Sequence, residues 1–328
     1  MKMNIWSKRM GAASLASALL FTGNAWAGSR PAAQETPLAV VETTAATEVA
    51  VATEPTLSEK AVTCMEIANQ ADGRHMFVYD AEKLEMIFCS TDPLDKLYPA
   101  SITKVYAALV ALMYLPPDQV VTAGEELGLA PSDSSRAFIS KGCRLTVRML
   151  VEAMLLPSGS DASYVLAAAA GRAVAKDDTL DGEAAVAAFV EELNRAAPGV
   201  GLKNSHFVNP DGYHHEHQYM CPADVAIVGA LALGDPVISG YMGLPQDTVV
   251  FESGEHITWH NSNHLINDRA PDYSQWATGM KTGYTGEAGH CLLASFRRED
   301  RDIIVGIFGS EERYPRYQTA IALFEACA

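Results

Sequence analysis

The chain has 328 residues, 48% apolar and 20% charged, with 24 glycines and 16 prolines. That length suits one large domain or two smaller ones, and the composition excludes a collagen, a coiled coil and a wholly disordered chain. Forty acidic residues against 24 Lys and Arg give a net charge of −16, which repels phosphate backbones and excludes nucleic acid as a partner.

Residues 1–27 carry Lys2, Lys8 and Arg9 with no acid, then an apolar run from Met10 to Phe21. The run is too short to cross a hydrocarbon core of about 30 Å. Ala25-Trp26-Ala27 supplies the small-x-small pattern of a signal-peptidase site, so residues 1–27 read as a signal peptide cleaved after Ala27. Export to a periplasm or a cell wall is expected. No cysteine near the cleavage point suggests lipid attachment, and no later segment reaches the ~18 unbroken apolar residues of a transmembrane anchor. Residues 28–58 are Ala, Thr, Val, Glu and Pro with no aromatics, a composition that buries little surface and reads as a disordered linker. The folded domain is expected over 59–328.

His75–Asp80 and Glu85–Ser90 are β-rich runs around Ala81-Glu82-Lys83-Leu84, which predicts a hairpin. Ile102–Leu115 is an apolar helical run stopped by Pro116-Pro117. Helices are also expected at Val147–Leu156, Asp161–Ala175 and Glu183–Ala196, the last with Ala187, Val190 and Leu193 at helical spacing. Cys291–Ser295 and Asp302–Gly309 read as strands and Tyr317–Cys327 as a final helix. Strands at both chain ends predict one antiparallel sheet assembled from distant segments, with helices packed on it and a helical subdomain inserted: an α/β fold, not an alternating doubly wound one. Six cysteines (Cys64, Cys89, Cys143, Cys221, Cys291, Cys327) permit up to three disulfides, but their wide spacing favours small buried apolar residues.

Three short motifs carry chemistry. In Ser101-Ile102-Thr103-Lys104 the serine and lysine share one face of a first helical turn, so the amine can take the serine proton. This is the chain's only Ser-x-x-Lys. Ser158-Gly159-Ser160 is a turn between two helices whose hydroxyls suit a proton relay. Lys281-Thr282-Gly283 enters the C-terminal strands, where a lysine and a hydroxyl on a strand edge suit a carboxylate and the glycine admits a substrate backbone.

In this order and spacing the motifs resemble those of penicillin-binding proteins and serine β-lactamases. The flanks PASITKVYAALVAL, LVEAMLLPSGSDASYVLA, GLKNSHFVNPDGYH and MKTGYTGEAGHCLLASF resemble the serine D-alanyl-D-alanine carboxypeptidases, low-molecular-mass penicillin-binding proteins, over roughly residues 62–328. The resemblance implies a β-lactamase/DD-peptidase-like fold and trimming of peptidoglycan stem peptides ending in D-Ala-D-Ala. It implies acylation by β-lactams and no cofactor or metal. It assigns Ser101 as nucleophile, Lys104 as its base, and Ser158 as a relay to the leaving D-alanine. Lys281 and Thr282 would bind the terminal carboxylate, with Gly283 beside them, and the amides of Ser101 and Tyr284 would form the oxyanion hole. Where the family's middle motif ends in Asn, this chain has Ser160, a shorter group that cannot donate and accept as an amide does. Larger members carry a C-terminal β-domain and an amphipathic anchor helix, which are not expected beyond the last helix here.

Three alternatives belong to other classes. A homologue impaired by Ser160 would bind stem peptides without turnover. A class A β-lactamase would use Glu191 and Asn194 as its Glu-x-x-Asn pair. A metallopeptidase would draw on His214, His215, Glu216, His217, His260 and His264, although the chain has no HExxH.

Overall fold

The computed structural model describes residues 56–328, so the signal segment and nearly all of the linker fall outside the described residues. Helix α1 (Leu57–Gln70) starts at Leu57, within the stretch read as linker. Strands β1 (His75–Asp80) and β2 (Glu85–Cys89) form the expected hairpin. Asp80 shapes its turn, since its Oδ1 accepts from the amides of Glu82 (3.1 Å) and Lys83 (2.9 Å).

After the hairpin come α2 (Thr103–Tyr114), β3 (Val120–Thr122), β4 (Arg144–Thr146), α3 (Val147–Leu155), α4 (Ser160–Ala175) and α5 (Gly182–Ala196). Helices α6 (Pro222–Gly234) and α7 (Pro236–Met242) then lead to the hairpin β5 (Gln246–Val250) and β6 (His256–His260). The chain closes with β7 (Ala277–Thr285), β8 (Gly289–Arg298), β9 (Arg301–Ser310) and α8 (Pro315–Cys327).

The main sheet runs β2-β1-β9-β8-β7, antiparallel throughout. Its first and last strands in sequence meet at its centre, with His75 opposite Phe308 and Asp80 opposite Ile303. The Asp80 carboxylate also accepts from Arg301 at 2.8 Å, which locks that register from the strand end. Period-two alternation sends Ile303, Val305 and Ile307 to one face, where they join Met76, Val78 and Phe296 against α1 and α8. Phe296 stacks on Phe324 of α8 with ring centroids 4.6 Å apart.

On the opposite face α6 lies close, because Gly229 offers no side chain against Ile304 and Met280. The helical region is packed as tightly: a Cβ on Gly171 of α4 would stand 1.7 Å from the Ala185 carbonyl oxygen of α5. Helices α6 and α7 are bent 98° apart, and among the described residues no single helix is long and apolar enough to cross a membrane. Strand β7 forms one edge of the main sheet, and that edge borders the site.

Candidate active site

Ser101 sits in a short 3₁₀ turn (Ala100–Ile102) that runs straight into α2. The turn is sharp. Ala100 takes φ +47°, a left-handed conformation costly for a residue with a Cβ, and such strain persists only where surroundings over-determine it. Two glycines do so. A Cβ on Gly212, itself at φ +83°, would strike the Ala100 carbonyl oxygen at 1.8 Å, and one on Gly283 would lie 2.9 Å from Ala100 Cβ and 3.0 Å from the Ser101 nitrogen. The glycine of Lys281-Thr282-Gly283 therefore lets the nucleophile's own turn rest on β7.

One helical turn on, Lys104 Nζ reaches Ser101 Oγ at 2.9 Å and donates to the Asp211 carbonyl at 2.8 Å. The amine is fully buried, and burial lowers its pKa from the ordinary 10.5, partly opposed by the carboxylates of Asp211 and Asp161. A neutral amine keeps two N–H bonds and one lone pair. The Asp211 carbonyl holds one N–H in place, which leaves the lone pair for the Ser101 proton. Such a contact between a hydroxyl and a neutral amine is the geometry that lets an amine take a hydroxyl proton.

Ser158, at φ +63°, and Ser160, the first residue of α4, are both buried. Asp161 anchors their turn. Its Oδ1 accepts from the Ala137 amide at 2.8 Å and its Oδ2 from the Ile139 amide at 3.1 Å, while the Ser160 amide donates to the Ser135 carbonyl at 2.8 Å. Gly159 is required at this crossing, since a Cβ there would meet Ala137 Cβ at 2.6 Å and the Ala153 carbonyl at 2.9 Å. The Asp161 carboxylate also raises the Lys104 pKa from across this turn.

Lys281 is fully buried on β7, and its Nζ donates to the Thr282 carbonyl at 2.9 Å. Burial, then the neighbouring Lys104, hold its pKa well below 10.5. A charge on Lys104 therefore disfavours a charge on Lys281. Thr282 Oγ1 meets the hydroxyl of Ser262 at 2.5 Å. Ser262 is fixed by its backbone: its amide donates to the Leu156 carbonyl at 3.2 Å, and its carbonyl accepts from Tyr317 OH at 3.2 Å. Tyr284, 60% exposed, stacks on His290 at 4.4 Å on the rim.

Sequence reasoning missed Ser262 and Asp211. Ser262 lies in no motif and acts through Thr282, while Asp211 acts through a backbone carbonyl, which residue type does not reveal. The residues of the alternative readings do other work. Glu191 is exposed on α5, and Asn194 ties that helix to the following loop through Phe207, donating to its carbonyl at 2.7 Å and accepting from its amide at 2.9 Å. His264 stacks on Tyr317 at 4.9 Å, and His214 meets Tyr98 edge-on at 4.8 Å. Among the described residues no three His, Cys, Asp or Glu side chains gather as a metal site.

An antiparallel sheet with a helical region, and a serine–lysine pair between them beside a Lys-Thr-Gly edge strand, define the serine DD-peptidase fold class. The sequence profile of Peptidase_S11, D-alanyl-D-alanine carboxypeptidase, matches residues 62–312, and the chain belongs to that family. It is 28% identical over 250 residues to the D-alanyl-D-alanine carboxypeptidase DacF of Bacillus subtilis, covering 75% of this chain and 59% of that one. It is 30% identical over 220 residues to DacA of Haemophilus influenzae, covering 64% and 50%. The chain thus spans between half and three fifths of those relatives' length. Its fold is similar to that of a Streptomyces DD-transpeptidase, with a TM-score of 0.68 and 25% identity over 78% of this chain and 96% of that one.

Proposed function

We propose that this protein is an exported serine-type D-Ala-D-Ala carboxypeptidase that trims peptidoglycan stem peptides through an acyl-enzyme on Ser101. The observation that carries the reading is the 2.9 Å contact between Ser101 Oγ and a buried lysine amine whose pKa burial has lowered. Neutral Lys104 takes the Ser101 proton as Oγ attacks the carbonyl carbon of the penultimate D-alanine. The amides of Ser101 and Tyr284 stabilise the resulting oxyanion. Ser158 relays the proton held by Lys104 to the departing D-alanine nitrogen, which returns Lys104 to its neutral form, and the C–N bond breaks to leave an ester on Ser101. Water then attacks that ester, with Lys104 again accepting a proton, and the trimmed peptide leaves with a new carboxylate. β-Lactams mimic the same acyl donor, and their ring opens onto Ser101 in the same step.

The hydroxyls of Thr282 and Ser262 receive the terminal carboxylate, whose negative charge opposes the effect of burial and of Lys104 and favours a proton on the buried Lys281 amine. The residue pattern of the N-terminal segment supports export to the peptidoglycan compartment. The test is release of free D-alanine from a peptide ending in D-Ala-D-Ala. The parent protein should release it and Ser101→Ala should not; equal release by both, or none by the parent, contradicts the reading.

A further inference from the structure

Two buried thiols face each other where the first and last described helices pack. Cys64 Sγ on α1 lies 3.2 Å from Cys327 Sγ on α8, and neither side chain is exposed. Both belong to the apolar cluster between those helices and the sheet. Cys221 and Cys291 are also buried, and Cys89 and Cys143 are partly buried, so burial alone does not set this pair apart; the sulfur contact does. We propose that Cys64 and Cys327 are a disulfide site, by which an oxidising compartment joins the two ends of the domain covalently.

The surroundings favour the reaction. Lys60 Nζ and Arg301 Nη1 both donate to the Cys327 carbonyl, at 3.0 and 3.3 Å, which brings two cations beside that residue. The hydrogen bond with Cys64 lowers the Cys327 thiol below its ordinary pKa against the effect of burial, and Lys60 and Arg301 add to this. The Cys64 thiol is pushed up by the same contact and by burial. Before the two helices pack, either thiol can supply the attacking thiolate.

The oxidant is a disulfide, small or protein-borne. One of the two cysteines, as its thiolate, attacks one of the oxidant's sulfurs, a mixed disulfide forms, and one thiolate leaves. The other, losing its proton, then attacks the cysteine sulfur of that mixed disulfide and expels the second thiolate. Two protons are released, and two electrons pass to the oxidant. The step belongs to folding, before α8 seats on α1 and shuts the sulfurs away from solvent. The link would close a loop spanning almost the whole domain, the case in which loop-closure entropy is largest.

The inference goes beyond the catalytic reading and stands apart from it. The full chain is refolded in mixed reduced and oxidised glutathione, alkylated in denaturant, and mapped by mass spectrometry without reduction. The expected result is a peptide linking Cys64 to Cys327, lighter by about 2 Da than its two halves, with the other four cysteines alkylated. The oxidised protein should melt roughly 5–10 °C above the same protein reduced, and that gap should vanish in Cys64→Ala and in Cys327→Ala. Alkylated Cys64 and Cys327 in the folded chain, a different pairing, or equal melting temperatures would overturn the proposal. Penicillin labelling of Ser101 should be present in both redox states, so a failed cross-link and a failed catalytic assignment are told apart.

Discussion

The chemistry at Ser101 turns on the charge of one amine. Lys104 acts as a base only when neutral, and its lowered pKa brings that form nearer to working pH. Acylation should therefore rise with pH and level off at a midpoint below 10.5, as followed by stopped flow with a fluorescent penicillin. Lys104→Arg, whose guanidinium stays charged, should acylate about 10²–10⁴-fold more slowly at every pH. A flat profile in the parent, or an active arginine variant, would remove Lys104 as the base. Ser262 makes a different demand. Ser262→Ala deletes the partner of Thr282 and should raise KM about 3- to 10-fold for peptides with a free carboxylate, with kcat held and amidated peptides unaffected. Equal losses on both substrates would mean that Ser262 only supports the fold. At this scale Ser101 and Lys104 were legible because a helical turn fixes their spacing. The Asp161 clamp was not, because its partners are backbone amides of a loop some twenty positions earlier.

Elements became visible in sequence where a pattern had a period. The β1–β2 hairpin, α5 with its spaced apolar residues, and the last two strands could each be read in this way. Helix α6 could not, since it is apolar almost all round and its sequence shows no polar face. The β5–β6 hairpin was equally hidden, because polar residues fill most of its exposed positions. The crossing of α4 and α5 was hidden in an alanine-rich run where Gly171 looks interchangeable with its neighbours. Gly171→Ala would drive a methyl group into the Ala185 carbonyl, so the helices must part. The expected loss is about 1–3 kcal/mol, although alanine is the better helix former. Urea denaturation checks this, and a variant as stable as the parent would show that the crossing has slack.

For the molecule as a whole, pH acts on stability through a buried acid remote from the motifs. Glu152 on α3 is pushed up to about 8, first by burial and then by the neighbouring Asp247 carboxylate, and its Oε1 has no hydrogen-bond partner. From its ordinary 4.5 up to about 8, the folded protein holds a proton that the unfolded chain has released. Stability from this group therefore falls as pH rises through that window. Glu152→Gln should stabilise by about 1–3 kcal/mol at pH 8 and change little near pH 4, read from melting curves at both. A variant no more stable at pH 8 would show that water reaches the carboxylate and relieves its charge. On the proposed mechanism, segments far apart in sequence meet at Ser101: β7 packs against its turn through Gly283, and α2 carries Lys104. Intact-mass measurement after incubation with penicillin, followed by peptide mapping, tests this assembly most directly. The account predicts one covalent adduct per molecule, located on Ser101, lost in Ser101→Ala and far slower to form in Lys104→Arg. An unmodified protein, or an adduct on any other residue, would contradict it.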